Sequence, residues 1–105
     1  FYLSWIQRSC YSLIGVPYNI ASYALLGHLF ANWAGLRYGG IDAIFCDAHI
    51  YENQLLGVAE WLHRTPRPVP VLVARQSTTD FYDWDATVQG YTPHDDPIDL
   101  GEVQV

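Results

Sequence analysis

The spacing of apolar positions changes several times along the chain, and each change predicts an element. Phe1 to Cys10 is rich in aromatic and aliphatic residues with no breaker, which predicts a strand. Gly15-Val16-Pro17 predicts a turn into a helix, where proline is tolerated because the amide it lacks would have no intrahelical partner. The predicted helix runs from about Pro17 to Ala34 and stops at Gly35, a residue suited to the left-handed conformation that ends helices. Ile20, Tyr23, Leu25, Leu26, Leu29, Phe30 and Trp33 surround most of its circumference. A helix apolar nearly all round belongs in the middle of a protein, and so small a body covers only part of it. A further covering surface is therefore expected.

Gly39-Gly40 predicts the next turn, and Ile41 to Tyr51 a second strand. Glu52 to His63 predicts an amphipathic helix, with Leu55, Val58, Ala59 and Leu62 at helical spacing. Thr65 to Pro70 is rigid and extended, and Val71 to Ala74 predicts a short strand. From Asp80 onward come Asp80, Asp83, Asp85, Asp95, Asp96, Asp99 and Glu102 with no Lys or Arg, which predicts a solvated, partly mobile acidic tail over 80–105. Ile20 to Leu36 is the one stretch that invites a transmembrane reading. It contains Ser22, His28 and Asn32, so a buried core helix and no membrane span are expected.

Composition narrows the function. The chain has 105 residues, half of them hydrophobic and 15% charged, as in one compact buried domain. Its net charge is −6, and all five basic residues are arginines: Arg8, Arg37, Arg64, Arg67 and Arg75. A nucleic-acid polymer is not an expected partner, because binding its backbone requires a basic surface. A single phosphate held by one or two arginines remains open. Cys10 and Cys46 have no ligand-like spacing, so neither a disulfide framework nor a metal site is expected, and a reducing cytoplasm fits. The chain has no Met and begins with Phe1, which suggests a segment of something longer.

Three groups of residues could carry chemistry. Gln7-Arg8-Ser9 ends the first strand with a fork of donors and a hydroxyl, suited to one phosphate; a plain surface arginine is the competing reading. Asn19, near a helix start, could be a cap. Its carboxamide also complements the N3–H and O4 edge of uracil. In Asp47-Ala48-His49-Ile50-Tyr51, His49 and Tyr51 are two apart on a strand and share a face, so they could hold a sugar hydroxyl or simply pack in a core.

These segments are not independent. QRSCYSLIGVPYNIASYALLGH, then DAHIYENQ, RTPRPVP and GYTPH, resembles in order and spacing the C-terminal part of thymidylate synthase. The resemblance implies an α+β fold with a mixed sheet carrying helices on one face, and residues 1–105 as a single partial domain of it. It implies reductive methylation of dUMP by 5,10-methylenetetrahydrofolate, giving dTMP and dihydrofolate, in a cytoplasmic homodimer. Arg8 and Ser9 match residues that bind the 5′-phosphate, and that arginine also supports a thiolate nucleophile. Asn19 matches the reader of the uracil edge, and His49 and Tyr51 match the pair on the deoxyribose 3′-hydroxyl. Ile14, Gly15 and Tyr18 match positions lining the folate site, Tyr18 standing where Phe is usual.

The nucleophile of the family lies in a Pro-Cys-His motif that these 105 residues do not contain, so the chain alone is expected to be inert. Cys10 matches a structural cysteine, and Cys46 stands where Gly is usual. Tyr11 replaces an Asp whose carboxylate hydrogen-bonds the pterin, and Asp99 stands where Lys is common, in a divergent tail from Asp99 to Val105. Together Tyr11 and the tail motivate an alternative, deoxyuridylate hydroxymethylation, in which water rather than hydride ends the reaction. A non-catalytic nucleotide-binding remnant is a third reading.

Overall fold

The computed structural model describes residues 1–102. Its strand β1 spans Tyr2–Tyr11, helix α1 Gly15–Trp33, strand β2 Gly40–His49, helix α2 Leu55–His63, strand β3 Val71–Gln76 and strand β4 Trp84–Gln89, with a 3₁₀ turn at Glu52–Gln54 before α2. β1 and β2 pair in parallel, and α1 is the crossover that parallel pairing demands. β3 and β4 pair antiparallel. The fold is α+β, as expected. Both pairing directions are present, but among the described residues they lie in two separate two-stranded sheets. α1 packs against β1 and β2 and also against β3.

The first three elements follow their local sequence closely. α1 begins at Gly15, two residues before the expected start, with Pro17 still inside the first turn. It ends in a left-handed Gly35 (φ 63°). There the Leu36 amide donates to the Ala31 carbonyl over 2.8 Å and the Gly35 amide to Asn32 over 3.1 Å, pairing carbonyls that the helix end would orphan. Gly27 lets α1 sit close to its neighbours: a Cβ there would lie 2.7 Å from the Tyr38 ring and 3.6 Å from the Leu3 side chain. Tyr51 falls just outside β2, although its backbone stays extended (φ −77°, ψ 142°).

β1 is kinked near its end. Leu3, Trp5 and Gln7 are the less exposed positions, as regular alternation requires, but the fully buried residue is Cys10 rather than Ser9. Three residues of regular strand span about 10 Å. Yet the Cys10 thiol donates to the Gln7 carbonyl over 3.2 Å. The pairing with β2 also passes from Gln7↔Phe45 to Ser9↔Asp47 without an Arg8 pair. The bend therefore lies at Arg8-Ser9, inside the segment singled out for phosphate binding.

Residues 80–102 are mostly exposed, as expected, but they hold a strand and a docked segment rather than a plain tail. Trp84, Ala86 and Val88 alternate with Asp85, Thr87 and Gln89, a strand period that the acidic count obscured, and Asp85 stands opposite Arg75. Further on, the chain docks against α2. Gly57 is buried, and a Cβ there would meet the Asp99 carbonyl at 2.7 Å and Leu100 at 2.9 Å. Asn53 Nδ2 donates to the Glu102 carbonyl over 2.9 Å. Val103 to Val105, the end of the divergent tail, lie outside the described residues.

The molecule is open. Its radius of gyration is 16.5 Å, against about 13 Å for a compact domain of this length. Among the described residues only Cys10, Leu13, Leu29 and Ala31 form a buried apolar core, while Phe30 and Trp33 of α1 and Ile6 and Ile44 of the parallel sheet stay exposed. The all-round apolar helix thus remains partly uncovered.

Candidate functional site

The C-terminal ends of β1 and β2 and the first turns of α1 form one edge of the molecule, the edge at which parallel sheets bind ligands. Asn19 is not a helix cap. It sits in the second turn of α1, behind an N-cap at Ile14 that makes no side-chain bond. Its Oδ1 accepts from Gln7 Nε2 over 3.0 Å, and the same Nε2 donates to the Ser9 carbonyl over 3.0 Å. A carbonyl oxygen only accepts, so the Ser9 contact sets which end of the Gln7 amide is nitrogen, and Gln7 in turn sets which end of Asn19 is oxygen. Asn19 keeps its NH₂ and one Oδ1 lone pair for a ligand.

His49 is oriented by its own strand. Its Nδ1 lies 3.1 Å from the Asp47 carbonyl and 3.7 Å from the Asp47 carboxylate. Both are acceptors only, so Nδ1 carries a proton, and in the neutral ring this tautomer leaves Nε2 a lone pair. The Tyr51 ring lies 5.5 Å away in a T-shaped arrangement, on the side that strand alternation assigns to it. An acceptor nitrogen beside a phenol suits a hydroxyl ligand.

Tyr11, in register with His49, joins the same cluster: its ring centroid lies 6.4 Å from His49 and 5.3 Å from Tyr51. Its hydroxyl accepts from Gln54 Nε2 over 2.7 Å. Ile14 and Tyr18, one helical turn apart, are 41% and 72% exposed, and a Cβ added at Gly15 between them would meet the Tyr11 side chain at an ordinary 3.5 Å. Arg8 and Ser9 are exposed at the kink, and the Arg8 guanidinium makes no hydrogen bond or ion pair with any described residue. Arg8, Asn19 and His49 are brought to one edge through the backbone; no side-chain contact joins Arg8 to the other two.

A family model described as thymidylate synthase matches residues 1–101. The chain belongs to the thymidylate synthase family. That family is one of methyltransferase-type enzymes of dTMP biosynthesis.

Three contributors to this thymidylate synthase-family site escaped the sequence reading. Asp47 was quoted only as part of a motif, yet it selects the His49 tautomer. Gln54 falls within the expected helix span and the DAHIYENQ motif without a role of its own, yet it reaches the Tyr11 hydroxyl. Trp5 is one aromatic among those that predict the first strand, and its indole N–H points at Gln7 Oε1 over 3.4 Å. The signal for Trp5 was available, since residues 5, 7 and 9 share a strand face. For Gln54 no local signal exists. A groove of about 850 Å³ lies elsewhere, between Thr65–Pro70 and Tyr91–Pro97. It comes near the candidate site through Leu13 and Pro17, the chain neighbours of Ile14 and Tyr18.

Proposed function

We propose that the chain holds dUMP for reductive methylation by 5,10-methylenetetrahydrofolate, yielding dTMP and dihydrofolate. The oriented Asn19 amide carries this reading. Its Oδ1 lone pair can accept the uracil N3–H while its NH₂ donates to O4, the reverse of what cytosine requires. His49 Nε2 and the Tyr51 hydroxyl then take the deoxyribose 3′-hydroxyl, and Arg8 and Ser9 take the 5′-phosphate at the strand kink. Gln7 serves as the support of Asn19 rather than as a direct ligand.

The folate supplies the one-carbon unit and the hydride. Exposed Ile14 and Tyr18 offer an apolar and aromatic surface for its rings, beside Gly15. Tyr11 is a neutral phenol whose oxygen is already engaged by Gln54, and it offers the pterin one O–H donor instead of a carboxylate. That difference favours, as a second reading, a product finished by water, hydroxymethyl-dUMP. The apolar surface left open on α1 and on the parallel sheet supports assembly as a homodimer. Among the described residues no helix is long and apolar enough to cross a membrane.

The test is product analysis of the intact protein with dUMP and methylenetetrahydrofolate. Chromatography should find dTMP, and the absorbance of dihydrofolate should rise in step with it. Hydroxymethyl-dUMP formed without dihydrofolate overturns the methylation reading in favour of the second.

A further inference from the structure

We propose that Trp5 is a positioning residue for base recognition, acting through Gln7 on Asn19; the proposal rests on the reading of Asn19 as the uracil reader. An indole N–H can only donate. Trp5 Nε1 donates to Gln7 Oε1 over 3.4 Å, and Gln7 Nε2 donates to the Ser9 carbonyl and to Asn19 Oδ1, each over 3.0 Å. Both ends of the Gln7 amide are therefore specified, the oxygen by a pure donor and the nitrogen by a pure acceptor. A flipped Gln7 would set its oxygen against two other oxygens and its NH₂ against the indole N–H. The chain of donors thus ends by fixing Asn19 in the one orientation that complements uracil.

Trp5 is itself held in place. Its ring lies 4.6 Å from Tyr23 of α1 and 6.0 Å, edge on, from Phe45 of β2. Helix and neighbouring strand together clamp the indole whose N–H orients Gln7, so the packing of the crossover is coupled to the polarity of the base reader.

Trp5→Phe keeps a ring between Tyr23 and Phe45 and removes the N–H. In the intact protein, isothermal titration should show the Kd for dUMP rising about fivefold, the worth of one modest hydrogen bond. The Kd for dCMP should not rise. In an Asn19→Ala background the same Trp5→Phe change should leave dUMP binding where it was, because the effect passes through Asn19. An unchanged dUMP affinity in Trp5→Phe overturns the proposal. So does an equal loss for both nucleotides, or a loss that persists in the Asn19→Ala background, since either assigns Trp5 a packing role alone. Failure of the unmutated protein to bind dUMP overturns the parent reading together with this one, and is thereby told apart from failure of the Trp5 step. Should Trp5→Phe not fold, ¹⁵N-labelled unmutated protein serves instead: saturating dUMP should move the Trp5 indole resonance, and an unmoved resonance overturns the proposal.

Discussion

Gln54, 1% exposed at the end of the 3₁₀ turn, donates through Nε2 to the hydroxyl of Tyr11 at the end of β1, over 2.7 Å. The two residues are 43 positions apart, and their bond ties the segment after β2 to the strand before α1. Gln54 Oε1 is buried with no hydrogen-bond partner among the described residues, so Tyr11 is the amide's whole side-chain pairing. The Tyr11 hydroxyl thus belongs to the packing and, in the proposed function, to the folate surface as well.

Removing that hydroxyl should cost stability. Tyr11→Phe keeps the ring beside His49 and Tyr51 but leaves the Gln54 amide buried and unpaired, a loss of about 1–3 kcal/mol. Urea denaturation should show a lower midpoint, and the double change Tyr11→Phe with Gln54→Leu should recover part of it. A midpoint that stays put in the single variant would mean that the bond carries no net stability.

The docked stretch 98–102 depends on a missing side chain. Gly57→Ala brings a Cβ to within 2.7 Å of the Asp99 carbonyl, a backbone atom that cannot swing aside. The gain in helix propensity, about 1 kcal/mol, is offset by displacement of that segment. Limited proteolysis should cut near Asp99 faster in the variant, and equal cleavage rates would show that the segment is not held by this contact.

Base selectivity should follow position 19. Asn19→Asp still accepts from Gln7 Nε2, so the local pairing survives. It loses the donor for uracil O4 and gains an acceptor for the cytosine amine. Steady-state assays on the intact protein should show kcat/KM for dCMP relative to dUMP rising roughly 10–100-fold, the worth of one or two base-edge hydrogen bonds. An unaltered ratio would remove Asn19 from the base site.

Alkaline stability should report on Tyr38. Burial raises its phenol above the ordinary tyrosine range, in a contact with Gly27 and His28. The folded state therefore holds this proton more tightly than the unfolded chain, whose tyrosines titrate near pH ~10. The stabilisation is complete below that pH and is lost as pH rises through the folded value. Thermal melts from pH 8 upward should show a smaller decline above about pH 10 for Tyr38→Phe than for the unmutated protein. Parallel declines would rule the group out.

The candidate site was legible as a set of positions more than as a set of bonds. Arg8, Ser9, Asn19, His49 and Tyr51 could be named from motif order, and β1, α1 and β2 carry them to one edge. The strand in the acidic region was missed because charge counting overrode the alternation of Trp84, Ala86 and Val88. The kink at Arg8-Ser9 was missed because it appears only as a gap in the pairing with a strand 38 residues away.

Sequence alone determined where α1 stops, because a glycine at position 35 can take the left-handed conformation without a clashing Cβ. It likewise determined that a strand covers most of Phe1 to Cys10 and that His49 and Tyr51 lie on one side, since these depend on neighbours a few residues apart. Tertiary structure decided which amide end of Asn19 faces a ligand, which proton His49 carries, and that Gln54 answers Tyr11. The His49 proton, though set by a neighbour two residues away, needed the folded backbone to bring the Asp47 oxygens to Nδ1. A hydrogen bond has a direction, and which donor meets which acceptor is settled only when the folded backbone sets the two a bond length apart.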